Sequence, residues 1–174
     1  SDRNQCNTRF TILLFELCAK HDVPVIKYAS SASVYGMQDK TINPLNFYAI
    51  SKVQVDYWVQ QNIHRFPVIQ GFRYFNVFGP RQDPDGPYAA VIPLFVSGII
   101  KQTPVFINGD GETSRDFCYV DNIIQANLLA AVTTDHDAVN QVYNVAVGDR
   151  TSLNELYYHL RNALSHSFPN LKFA

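Results

Sequence analysis

Apolar and polar positions along this 174-residue chain fall into two alternating rhythms. Over residues 8–20, Phe10, Leu13, Leu14, Leu17 and Cys18 recur at the three-and-four spacing of an amphipathic helix. The run VPVIKYASS that follows is short and apolar and reads as a strand, with Pro24 at its entrance. Helical spacing returns over residues 46–66, with Tyr48, Val55, Tyr57 and Trp58 among its larger side chains. PVIQGFRYFNVFG is a second strand, stopped by Gly79-Pro80, and PRQDPDGP is a loop by composition. Residues 88–101 predict a helix, PVFIN a short strand and GDGE a turn. RDFCYV is another strand, closed by Asp121 as the expected N-cap of a helix over 123–133. QVYNVAVG is a further strand. The helix TSLNELYYHLRNAL carries Ser152 and Glu155 at capping-box spacing.

Strands alternating with helices of this length specify βαβ units and a mainly parallel sheet with helices on both faces. The fold class expected is therefore α/β: a Rossmann-like, doubly wound sheet, present in part, with part of a smaller C-terminal region. The pattern opens on a helix with no strand before it and stops just after a helix, which reads as an incomplete unit. Internal repeats and low-complexity linkers are absent from the sequence.

Composition narrows the functional classes. With 47% hydrophobic and 17% charged residues and a formal net charge of -1, there is no basic field to attract nucleic acid. The three cysteines, Cys6, Cys18 and Cys118, form no CxxC pair and suit a reducing compartment. Residues 1–10 are too polar for a signal peptide, and no apolar stretch approaches a membrane span. The expectation is a cytoplasmic domain with no membrane or nucleic-acid partner. The five histidines show no metal-ligand spacing, so no metal is expected.

The candidate chemistry lies in YASSASVYGMQDKTINPLNFYAISK, residues 28–52. Ligands of open α/β sheets bind beyond the carboxyl ends of strands, where Ser30, Ser31, Ser33 and Asn76 fall. Tyr48 and Lys52 are four apart and share a helix face. A tyrosine, with a reference pKa of about 10, is a poor base unless a cation favours its phenolate. A serine hydroxyl can then hold a substrate oxygen while the tyrosine takes its proton. No GxGxxG or GxxGxxG follows any strand.

YASSASVYG, NPLNFYAISK, GFRYFNVFGPRQ and GETSRDFCYVDN, in that order, resemble the extended short-chain dehydrogenase/reductase family of NAD-dependent epimerases and dehydratases. NVFGPRQDPDGPYAAVIP and FINGDGETSRDFCYVDNIIQANLL look most like its UDP-N-acetylglucosamine 4-epimerases of polysaccharide pathways. The resemblance implies Ser31, Tyr48 and Lys52 as catalytic residues, Tyr48 as base and Lys52 as the ribose-binding lysine beside it. It implies contacts of Ala29, Ser30, Tyr48, Lys52, Tyr74 and Phe75 with the cofactor, NAD, with NADP the weaker alternative. It implies contacts of Ser31, Ser33, Tyr48, Asn76, Ala90, Val91, Val105, Ile107 and Arg115 with a UDP-sugar, Arg115 pairing with the diphosphate. Hydride would leave sugar C4 for the cofactor as Tyr48 removes the O4 proton, then return to the opposite face. Dehydratases of the family carry Asp-Glu or Ser-Glu at the positions of Ala32 and Ser33, so by this likeness elimination is not expected.

By the same likeness, residues 1–80 form the C-terminal part of an NAD-binding domain. Residues 81–174 mix substrate-binding segments with a returning strand and helix, and the family's N-terminal glycine-rich loop lies outside this chain. A homodimer is implied for the full-length protein. Ser31 and Tyr48 are only 17 positions apart, shorter than the family usually shows. Two alternatives stay open: an ADP-heptose 6-epimerase-like or other nucleotide-sugar epimerase, since the SSA pattern occurs there, and an inactive fragment or nucleotide-binding module.

Overall fold

A computed structural model describes residues 2–36, 41–86 and 89–170. Its elements, in chain order, are α1 (Asp2–Lys20), β1 (Val25–Ser31), α2 (Phe47–Asn62), β2 (Val68–Tyr74) and β3 (Val77–Phe78). They continue with α3 (Val91–Lys101), β4 (Ser114–Arg115), β5 (Cys118–Tyr119), α4 (Val120–Val132), β6 (Val142–Val145), β7 (Thr151–Ser152) and α5 (Leu153–Ser167). The chain divides into two units, one of Ser1–Phe75 with Asp121–Val145 and the other of Asn76–Val120 with Ala146–Ala174.

The first unit holds a parallel three-stranded sheet in the order β1-β2-β6. Strand alternation turns Ile26 and Tyr28 of β1 and Ile69 of β2 to one face. There they pack with Phe15 of α1, Val55 and Val59 of α2, and Phe66 into a continuous core. α1 and α2 also pack on each other. Phe72 and Tyr74 point to the other face, where the Tyr74 hydroxyl meets Asn127 of α4. Helices thus cover both faces, as the alternating pattern predicts. Gly71 sits in register with Tyr28. A Cβ there would come within 2.5 Å of the Tyr28 ring and hydroxyl, so the space glycine leaves is occupied by the tyrosine.

The second expected strand is split. Asn76 takes a left-handed φ of 25°, a conformation asparagine tolerates better than most residues, and β2 ends before it while β3 begins after it. In the second unit β3 pairs parallel with β5 and β4 antiparallel with β7. α3 packs against α5, with Phe95 and Tyr157 edge to face at 6.2 Å. The predicted capping box is formed: the Ser152 hydroxyl accepts from Glu155 N–H at 3.2 Å, and the Glu155 carboxylate accepts from Ser152 N–H at 2.8 Å.

Two expectations fail. Residues 104–108, PVFIN, form no strand. Val105 instead lies against Gly98 of α3, where an added Cβ would meet its Cγ2 at 2.7 Å. Asp121 is not an N-cap, because α4 already begins at Val120, straight out of β5. Asp121 lies in the first turn, where its charge complements the helix dipole. The helix expected from residue 88 starts at Val91 among the described residues; Tyr88, and residues 37–40 of the loop between Ser31 and Tyr48, lie outside them. Within residues 81–174, β6 and the part of α4 from Asp121 onward belong to the first unit.

Candidate active site

The end of β1 builds a small hydroxyl cluster. Ser31 closes the strand in extended conformation and caps a 3-10 turn, Ala32–Tyr35, by accepting a hydrogen bond from Ser33 N–H at 3.2 Å. The Ser33 hydroxyl is buried and has no hydrogen-bond partner among the described residues. Asn46 caps α2 through Ala49 N–H at 2.8 Å, and the helix packs on β1 and on the 3-10 turn. Tyr48 is exposed near the start of that helix. One turn on, the Lys52 ammonium lies 5.7 Å from the Tyr48 ring centroid and donates to the Ala29 carbonyl at 2.9 Å. Burial pulls the Lys52 pKa down, and the Asp56 carboxylate works in the opposite direction.

Behind this cluster is a buried polar network that the sequence reading missed. The Asp56 carboxylate accepts from Ser30 Oγ at 3.1 Å and from Arg73 Nε at 2.9 Å, and Arg73 Nη2 also lies 2.9 Å from it. Arg73 Nη1 donates to the Tyr35 hydroxyl, and that hydroxyl donates to Asn144, each at 2.7 Å. Burial opposes the Arg73 charge, but its bonds to Tyr35 and Asp56 prevail and raise its pKa. Tyr28 Oη is buried beside the same carboxylate without a formed hydrogen bond, and desolvation with that negative charge pushes its pKa up. Two signals were available: Asp56 lies four residues after Lys52, and Arg73 is a lone charge in an apolar run.

The remaining expected cofactor residues in the first unit are Ala29, exposed at its carbonyl contact with Lys52; Ser30, whose hydroxyl is committed to Asp56; Tyr74, bonded to Asn127; and Phe75, tilted against Tyr35 at 6.2 Å. The other expected substrate residues all fall in the second unit. Asn76 is exposed and donates to the Asp116 carbonyl at 2.8 Å. Ala90 precedes α3, Val91 begins it, and Val105 and Ile107 are half-buried in the irregular segment after it. Arg115, exposed on β4, donates one N–H to the Ser114 carbonyl at 2.9 Å. Arg150 donates to the same oxygen at 3.1 Å and to the Ser114 hydroxyl at 2.9 Å, so two guanidinium groups converge there. Asp116 beside them accepts from Val147 and Gly148 N–H at 3.0 and 2.8 Å.

A family profile described as the NAD dependent epimerase/dehydratase family matches residues 1–146. The chain belongs to that family. Its fold agrees with a UDP-N-acetylglucosamine 4-epimerase from Methanobrevibacter ruminantium, solved with UDP-N-acetylmuramic acid, at a TM-score of 0.85 and 36% identity over 93% of this chain and 54% of that one. A Thermotoga maritima UDP-glucose 4-epimerase, solved with UDP-glucose, gives 0.83 and 30% over 91% of this chain and 53% of that one. A Methanocaldococcus jannaschii protein, provisionally named a UDP-glucose 4-epimerase, is 35% identical over 160 residues, 87% of this chain and 50% of its own length. This epimerase-family chain therefore spans about half the length of the relatives it matches. Near the carboxyl end of β1 it holds a half-buried ammonium, an exposed phenol and serine hydroxyls.

Proposed function

We propose that the full-length protein carrying this chain is a nucleotide-sugar 4-epimerase that interconverts UDP-N-acetylglucosamine and UDP-N-acetylgalactosamine. The observation that carries the reading is the Lys52 ammonium set over the Tyr48 ring, on a helix packed against the strand end and the 3-10 turn capped by Ser31. Bound NAD supplies the hydride acceptor and, in the return step, the hydride donor. Tyr48 takes the proton from the sugar O4 and gives it back, with the Lys52 charge beside its ring. Ser31 holds O4, and Ser33 offers the sugar a hydroxyl that is unpaired among the described residues. Arg115 has guanidinium donors beyond the one it gives Ser114, and a diphosphate matches their fork. Asn76, Ala90, Val91, Val105 and Ile107 complete the nucleotide side. The first unit is the cofactor part and the second the substrate part.

Likeness to the M. ruminantium enzyme at 36% identity favours the N-acetylated sugar. The small neutral pair Ala32-Ser33 favours epimerisation over elimination of water. A place in polysaccharide biosynthesis, a cytoplasmic setting and a homodimer belong to the same proposal. The apolar face of α1 left exposed at Phe10, Leu13, Leu14 and Leu17 supports the dimer. The test is conversion of UDP-N-acetylglucosamine by the full-length protein and its Tyr48→Phe variant. Loss of the phenolic proton carrier should lower kcat by about 10²- to 10⁴-fold. Turnover retained in that variant removes Tyr48 as the base.

A further inference from the structure

Tyr48, Lys52 and Asp56 stand four residues apart on α2 and lie along one line of the helix. The first two belong to the proposed proton-transfer site; the third is buried, at 6% exposure. One oxygen of Asp56 collects the Ser30 hydroxyl and two nitrogens of Arg73, and Ser30 and Arg73 are register partners across β1 and β2. A turn earlier, Lys52 grips the carbonyl of Ala29. Helix α2 is therefore fastened to β1 at the two consecutive residues before Ser31, and to β2 by the same carboxylate.

Stability alone explains this arrangement poorly. Removing two charges from water offsets most of their attraction, and apolar replacements of buried ion pairs are often neutral or stabilising. Asp56 is desolvated beside the buried Tyr28 hydroxyl, a further cost that an apolar side chain would not carry. What an apolar side chain could not do is fix the helix to one register on the strands, through directional bonds to a defined pair.

We propose that Asp56 is a positioning residue: with Arg73, it locks α2 against β1 and so fixes Tyr48 and Lys52 relative to Ser31. This rests on the epimerase reading above. Reacting groups displaced by about an ångström lose catalysis steeply even when binding survives, so the signature is in kcat rather than KM.

The experiment compares the full-length wild type with Asp56→Asn, Asp56→Glu and Arg73→Lys in UDP-N-acetylglucosamine epimerisation, with amide hydrogen exchange along α2 read in parallel. Asp56→Asn should lower kcat by about 10- to 100-fold with the KM for the UDP-sugar unchanged. Asp56→Glu, which keeps the charge, should recover part of that loss. Exchange at residues 48–52 should quicken in Asp56→Asn while α5 stays as protected as before. Should Asp56→Asn not fold, Arg73→Lys carries the same test, because an ammonium keeps the charge but cannot form the guanidinium fork. A kcat equal to wild type, a change in KM alone, or unchanged exchange at residues 48–52 overturns the proposal. A wild type without turnover brings down the epimerase reading together with this proposal, whereas an active wild type beside an equally active Asp56→Asn brings down the proposal alone.

Discussion

At the scale of single residues, function and stability pull against each other at Lys52. Burial disfavours its charge, and its lowered pKa means that the unfolded chain holds this proton more tightly than the folded one. The folded state is therefore penalised below its lowered pKa, where both states are protonated. The penalty fades as pH rises from the lowered folded-state pKa to the ordinary value of 10.5, above which neither state carries the charge. Lys52→Met, which keeps the stem and removes the ammonium, should raise the thermal midpoint at pH 7 while abolishing turnover. The gain should shrink on approach to pH 10.5. A midpoint lowered at pH 7 would show that the bond to Ala29 outweighs the desolvation. The juxtaposition of Tyr48 and Lys52 was legible because residues four apart on a helix share a face. Asp56 and Arg73 were not, because their pairing spans 17 residues and depends on strand register.

At the scale of elements, local signals were read well and contextual ones poorly. The capping box of α5 is written in Ser152 and Glu155, since both bonds form within four residues of chain. Ser152→Ala removes a buried acceptor from the helix N-terminus and should destabilise by about 1 kcal/mol in thermal or urea unfolding. The Glu155 pKa is lowered by its bond from the Ser152 backbone, reinforced by the Ser152 side chain. A carboxylate with a depressed folded-state pKa stabilises above its unfolded pKa and loses that contribution as pH falls through the folded value. Glu155→Gln and wild type should therefore differ in thermal midpoint at pH 7 and converge in acid. A gap that persists below the carboxylate range would assign the effect to shape rather than charge. PVFIN shows the opposite case: an apolar run is a strand only where a partner strand is available, and here Val105 packs under a glycine of α3 instead.

On the scale of the whole molecule, alternating strands and helices made the parallel sheet legible, but not the way the chain divides. Residues 76–120 leave the first unit between β2 and α4, and nothing in their hydrophobic rhythm distinguishes them from the segments on either side. The division separates the proposed roles. Proton transfer draws on Ser31, Tyr48 and Lys52 of the first unit, whereas the nucleotide residues Asn76, Ala90, Val91, Val105, Ile107 and Arg115 all belong to the second. Nucleotide binding and chemistry should therefore be separable by mutation. Titration calorimetry of the full-length protein with UDP alone should show affinity reduced by about tenfold or more in Arg115→Ala, the loss expected for charge-assisted hydrogen bonds to a diphosphate. Tyr48→Phe should bind UDP as wild type does, because a phenol hydroxyl that acts on the sugar has no role with UDP. If Arg115→Ala binds UDP unchanged, the diphosphate is held elsewhere, and the converging Arg150 becomes the residue to remove next.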